Sequence, residues 1–159
     1  MIKHPFPPLY NENSRILILG SFPSVKSRAE LFFYGHPQNR FWKVIAAIFD
    51  SKVPENVEEK RRLLLDNGVA LWDVIAECEI TGSADSTIKS VVANDLTEIL
   101  DSAEIEQIFV NGKTAEKYFR RYIEKEICRK AICLPSTSPA NAAFSLDRLI
   151  DEWRAAIKG

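Results

Sequence analysis

Ile16-Leu17-Ile18-Leu19 is an unbroken apolar run with strand composition, and it restricts the fold more than any other feature of the chain. A strand that alternates apolar and polar residues needs cover on one face. One that is apolar at every position needs cover on both, as in a parallel sheet between helix layers. The spacing predicts a first strand over Arg15–Gly20, with Gly20 permitting a tight turn at its end, and further strands at Val69–Trp72, Gln107–Val110 and Ala131–Leu134. Between them lie segments of helical period: Phe41, Val44, Ile45, Ile48 and Phe49 share one face, a charged helix is predicted over Glu55–Asp66, and another begins in Asn94–Leu100. Ala115, Tyr118, Phe119 and Tyr122 repeat in the same way, and Ser145 is placed to cap a last helix with the stripe Leu146, Leu149, Ile150, Trp153 and Ile157. Alternating strands and helices predict a three-layer α/β/α sandwich around a central, mainly parallel four-stranded sheet, as one domain over residues 1–159.

Bulk properties narrow the function classes. At 46% hydrophobic residues the chain has ample material for a core, and a formal charge of −1 gives the whole molecule no pull toward polyanions. Contact with nucleic acid would therefore rest on local basic groups, for which Lys26, Arg28, Arg40 and Lys113 are the candidates. Cys78, Cys128 and Cys133 are odd in number and lack CxxC spacing, which supports neither a disulfide framework nor a metal site. No run reaches membrane-spanning length, and the N-terminus lacks signal-peptide design. The expectation is a cytoplasmic monomer that needs no metal or organic cofactor.

The chemistry is expected in the loops that follow the strands, where open α/β sheets bind ligands. Residues 1–14 read as an extended arm and turn. Leu19–Trp42 (LGSFPSVKSRAELFFYGHPQNRFW) is oddly rich in aromatics for a connector, and it leads into a helix starting near Gln38. Polar loops at Thr81–Thr87 and Pro135–Asn141 are expected at the same end of the sheet. GxGxxG, Walker and GxSxG signatures are absent, and Gly112-Lys113-Thr114 lacks the upstream glycine of a phosphate loop. His36, between Gly35 and Pro37, suits a turn at least as well as acid–base work. What remains is a set of aromatics, amides, hydroxyls and backbone groups, which fits a flat heteroaromatic ligand such as a nucleobase. Tyr34 reaches such a ligand if Phe32 or Phe33 turns inward; Asn39 either caps the helix beside it or orients a base or a water; Asp73 either caps the polar turn after Trp72 or reads a base edge.

The order GSFPS, YGHPQNRFWKVI, GVALWDV, FVNGKTA and LPSTSPANA, which spans nearly the whole chain, resembles the uracil-DNA glycosylase superfamily. The HPQNRFWKVI block is similar to that of the mismatch-specific uracil glycosylases, and GSFPS with YGHPQNRFW looks most like the family 6 branch, the hypoxanthine-DNA glycosylases. The resemblance implies that Gly20, Ser21, Phe22, Pro23 and Ser24 hold the base and the attacking water, that Tyr34 stacks on the flipped base, and that Asn39 is the catalytic amide. Other branches carry an Asp or Asn in the first motif, and this chain has neither. Asp73 falls where the uracil-specific branch has a base-reading Asn. Ser136, Thr137, Ser138, Pro139, Ala140 and Asn141 match the loop that enters the minor groove, although the usual His or Asn near its start is missing; the hydroxyls of Ser136, Thr137 and Ser138 are expected to hold phosphates, and Lys113 is expected beside the DNA backbone. The implied partner is damaged DNA, double- or single-stranded, and the implied reaction is removal of a deaminated base, hypoxanthine foremost with uracil or xanthine as alternatives. Flipping a base costs a few kcal/mol and is easiest at a damaged pair. The alternative of another class is a binding module that keeps the pocket without catalysis.

Overall fold

The computed structural model describes residues 1–159. Strands β1 (Ile2–Lys3) and β2 (Ile16–Gly20) are followed by helices α1 (Val25–Glu30), α2 (Phe41–Ile48) and α3 (Val57–Asp66). Next come β3 (Val69–Asp73), β4 (Ile75–Glu79), one 3₁₀ turn at Asp85–Thr87, β5 (Lys89–Ala93) and α4 (Thr97–Ser102). The chain ends with β6 (Gln107–Asn111), α5 (Lys113–Tyr122), α6 (Glu124–Ile127), β7 (Ile132–Leu134) and α7 (Leu146–Lys158).

The four expected strands form one parallel sheet in the order β3-β2-β6-β7. Alternate residues of β2 serve two cores. Ile18 faces one side with Phe41, Val44, Ile45 and Ile48 of α2, Leu64 of α3, and Leu149 and Trp153 of α7. Leu17 and Leu19 face the other with Ile99 of α4 and Ala115, Tyr118 and Phe119 of α5. All three β2 residues are completely buried, which is why the run contains no polar residue.

Three features depart from the sequence reading. A second, antiparallel sheet in the order β1-β4-β5 lies beside the main one. Its sequence signal is weak because β1 is two residues long, β4 and β5 carry Glu77, Glu79 and Lys89, and their pairing is interrupted by register shifts. It turns part of the supposed N-terminal arm into an ordered strand. The connector 21–40 also contains a helix, α1, started by Ser24, whose Oγ accepts from the Ser27 backbone N–H. Gly20, finally, closes β2 as expected but is glycine for another reason: paired with Asp73, it stands where a Cβ would fall 2.5 Å from Asp73 Oδ1 and 3.1 Å from the Tyr34 hydroxyl. Close approach, not backbone freedom, requires glycine there.

Candidate active site

At the carboxyl ends of β2, β3 and β6 the loops enclose a cleft of about 570 Å³. Gly20–Ser24, Tyr34, Asn39 and Asp73 all line it, as do Ser136–Ala140. Asn141 and Lys113 do not: Asn141 Nδ2 donates to the Ser136 carbonyl (3.0 Å), holding the loop together, and Lys113 is exposed at the first residue of α5.

Asn39 is fixed by its neighbours. Its Oδ1 accepts from the Phe41 backbone N–H (2.9 Å) and from the Thr137 hydroxyl (2.9 Å). A backbone N–H only donates, so the oxygen is identified and its two lone pairs are used. The capping and functional readings of Asn39 are therefore compatible: the oxygen caps α2, and the N–H₂ remains available as a donor. Thr137 is completely buried, and its hydroxyl also faces Asn111 Nδ2 (3.0 Å). That hydroxyl is thus an internal link and not a phosphate ligand, a correction to the role expected from sequence. Asn111 completes the chain of bonds, with Nδ2 also directed at the Tyr34 hydroxyl (3.2 Å) and Oδ1 accepting from the Thr137 N–H (3.1 Å). In sequence it was merely the residue at which a strand stopped; its strand-end position was the signal that could have singled it out.

Phe32 and Phe33 are buried in the core while Tyr34 reaches the cleft, in a left-handed backbone conformation (φ 52°). One ring face stacks on Phe41 (centroids 4.0 Å, 18° between planes), which leaves only the other for a ligand. Burial first, and the charge of Asp73 second, push the Tyr34 phenol well above its ordinary pKa, against the opposing hydrogen bond of Asn111, so the phenol stays protonated.

Asp73 is nearly buried and is held from an unexpected direction. His4 Nε2 lies 2.7 Å from Asp73 Oδ2, with both side chains almost fully covered. The Phe6 N–H faces His4 Nδ1 at 3.5 Å, which leaves the ring proton on Nε2 for donation to the carboxylate. Phe6 and Trp72 pack against the His4 ring at 4.5 Å each. Nothing in the local sequence marked His4, because a contact across 69 positions depends on the pairing of β1 with β4.

The basic groups are mostly engaged. Arg40 Nη2 donates to the Ser138 and Asn141 carbonyls (2.9 and 3.0 Å) and Nη1 to the Phe144 carbonyl, so Arg40 fastens the 136–144 loop and is not free for phosphate. Trp153 Nε1 anchors the same loop through the Pro135 carbonyl (2.9 Å). Arg28 donates to the Gly82 carbonyl (3.0 Å), and Lys26 pairs with Glu30 (3.4 Å). Gly112 (φ +93°) seats α5 against the loop, where a Cβ would fall 3.0 Å from Ser136 Cβ. His36 accepts the Gln38 N–H at Nδ1 (3.1 Å), as a turn residue does.

An α/β/α domain with an amide, phenol and carboxylate cleft at its strand ends has the donors, acceptors and aromatic face that suit a flat polar ring. The family model of the uracil DNA glycosylase superfamily matches residues 7–157, and the chain belongs to that superfamily. Proteins called hypoxanthine DNA glycosylase from Methanosarcina acetivorans and Methanosarcina barkeri are 35% and 34% identical to it, each over 99% of both chains. A solution NMR structure of an M. acetivorans protein assigned to the uracil DNA glycosylases superposes with a TM-score of 0.82 at 34% identity, covering 98% of this chain and 96% of that one. No helix is long and apolar enough to cross a membrane.

Proposed function

We propose that this chain is a monofunctional DNA glycosylase of the hypoxanthine branch, family 6, which flips hypoxanthine out of DNA, hydrolyses its N-glycosidic bond and leaves an abasic site. The observation that carries the choice of base is Asp73. With Oδ2 taken by His4, Oδ1 is the acceptor left for a ligand, and hypoxanthine offers an N1–H donor beside its O6 acceptor. Adenine offers a bare N1 acceptor, which would meet a carboxylate with no proton between them, a mismatch worth about 1–3 kcal/mol or more. The full-length likeness to two named hypoxanthine DNA glycosylases supports the same base.

Catalysis is assigned to Asn39. Bond cleavage builds positive charge on the sugar and negative charge on the departing base, and the Asn39 N–H₂, oriented by Phe41 and Thr137, stabilises that base by donation. Tyr34 supplies the stacking face. No lysine lines the cleft, so strand cleavage through a Schiff base is not part of the reading. Ser136, Ser138, Pro139 and Ala140, on a loop tied down by Arg40 and Trp153, are assigned to the DNA minor groove, with Lys113 beside the phosphates. The protein acts as a monomer without a cofactor.

The test is a set of duplexes with one deoxyinosine, deoxyxanthosine, deoxyuridine or deoxyadenosine, incubated with the protein and heated in alkali to break abasic sites. Cleavage is expected first at deoxyinosine and absent at deoxyadenosine. Preferential cleavage at deoxyuridine would reassign the substrate, and bound but uncut DNA at every base would make the chain a binding module.

A further inference from the structure

Hydrolysis of the glycosidic bond requires a proton acceptor for the attacking water, and the first motif supplies no acid. Four side chains that can titrate line the cleft: Tyr34, His36, Asp73 and Asp85. The Tyr34 phenol stays protonated, and His36 has its acceptor nitrogen occupied by the Gln38 N–H. Asp73 is engaged by His4 and sits deep, 4% exposed. Asp85 differs in each respect: it belongs to the exposed 3₁₀ turn at the mouth, and no lysine or arginine pairs with it.

Depth decides between the two acids. A flipped nucleotide enters base first, its sugar still tethered to the DNA backbone, so C1′ and the attacking water stay nearer the mouth than the base edge does. We infer that Asp85 is the catalytic proton acceptor for that water, while Asp73 reads the base beneath it. The turn is secured for such a task. Val25 N–H donates to Ser83 Oγ (2.9 Å), Arg28 holds the Gly82 carbonyl (3.0 Å), and Ser21 Oγ approaches Asp85 Oδ1 at 3.4 Å, tying the turn to α1 and to the end of β2. From within, Thr87 bridges Ala84 O (2.6 Å) and Thr81 N (2.9 Å). Although the turn as a whole is exposed, the Asp85 carboxyl lines the cleft, and its partial desolvation there, aided by the charge of Asp73 and opposed by Thr114 and Ser21, raises it above its ordinary pKa and makes it a better base than a free carboxylate.

In the step, water oxygen bonds to C1′ as the C1′–N9 bond breaks. The bonding pair leaves with the purine, the water proton passes to the Asp85 carboxylate, and the base anion is held by Asn39 until it takes a proton from solvent. Atoms and charge balance with water as the only co-reactant.

The inference rests on the glycosylase reading, and the experiment separates the two. Single-turnover cleavage of a deoxyinosine duplex by wild type, Asp85→Asn and Asp85→Ala is measured with DNA affinity alongside, and Asp85→Ala is repeated in sodium formate. Asp85→Asn should lose at least about a hundredfold in rate, the lower end for a general base. Its affinity for the duplex should be unchanged or tighter, since a negative charge near phosphate is gone, and formate should restore part of the Asp85→Ala rate. A rate for Asp85→Asn within about threefold of wild type, a loss confined to binding, or an Asp85→Ala variant that formate leaves unchanged would each overturn the assignment. Wild-type protein inactive on deoxyinosine would instead remove the assigned substrate, and the same variants on deoxyuridine and deoxyxanthosine then test Asp85 by the same criteria.

Discussion

Two sets of residues build the cleft, and they solve different problems. Asn39, Thr137, Asn111 and Tyr34 form a neutral set joined by hydrogen bonds of 2.9–3.2 Å, in which nearly every donor and acceptor has a partner. Ser21, Asp73 and Asp85, with His4 behind them, form a charged set with one carboxylate tightly paired and the other nearly free. The neutral set defines position. A buried network whose bonds are nearly all made has few low-energy arrangements, so the Asn39 N–H₂, which has no partner in it, points where the network directs it. On the proposed reading the charged set defines chemistry, because two identical side chains in different surroundings are suited to different tasks.

The sharpest way to break this comparison is to keep the network and remove only its output. Asn39→Asp retains an oxygen for Phe41 and Thr137 but no N–H₂, whereas Asn39→Ala loses both. If the amide serves as a donor, both variants should lose about 10²–10³ in single-turnover rate, roughly 3–4 kcal/mol, with lesion-duplex affinity within a few fold. Near-normal cleavage by Asn39→Asp would reduce Asn39 to a helix cap. Next in size is Tyr34→Ala, expected to cost about 1–3 kcal/mol through lost stacking. Tyr34→Phe keeps the ring and should be mild; equal losses in the two, with the fold intact by circular dichroism, would shift the role to the hydroxyl and its bond with Asn111.

A smaller effect is expected on the choice of base. Asp73→Asn must turn its oxygen to His4 and so presents N–H₂ to the ligand, exchanging an acceptor for a donor. The ratio of deoxyinosine to deoxyuridine cleavage should shift by about five- to tenfold, equivalent to ~1 kcal/mol or slightly more. His4→Leu should disturb the same ratio, and His4→Gln, which keeps an N–H donor, should restore most of it. Equal loss on both substrates in all three variants would take Asp73 and His4 out of recognition.

The smallest effect concerns stability and has the opposite sign from activity. A carboxyl whose folded pKa lies above its unfolded value penalises folding as pH rises through that range, because the unfolded chain gives up its proton first. At neutral pH, Asp85→Asn should therefore melt at the same temperature as wild type or slightly above it, while cleaving more slowly. A clear fall in melting temperature would mean that the side chain holds the turn together.

The loops that carry the chemistry were legible because the residues there violate the pattern of ordinary connectors. Phe32-Phe33-Tyr34 is costly to expose without use, and it meets the amide of the HPQN block and the Pro-bracketed STS segment at the cleft or its supports. Partnerships were not legible. Arg40 and Lys113 look alike as cations in sequence, yet one is bound to three carbonyls and the other is exposed.

The amino-acid sequence alone determined the parallel sheet, since an unbroken apolar strand such as Leu17-Ile18-Leu19 is stable only with helices on both faces, and that order of elements brings the strand-end loops together. Only the tertiary structure decided which atoms in those loops remain free. His4 reaches Asp73 across 69 positions, Thr137 reaches Asn39 across 98, and Asp85 reaches Ser21 across 64. Local periodicity reports which side of its own element a residue occupies, whereas a hydrogen bond between distant residues depends on how the elements pack, and no repeat within the sequence encodes that.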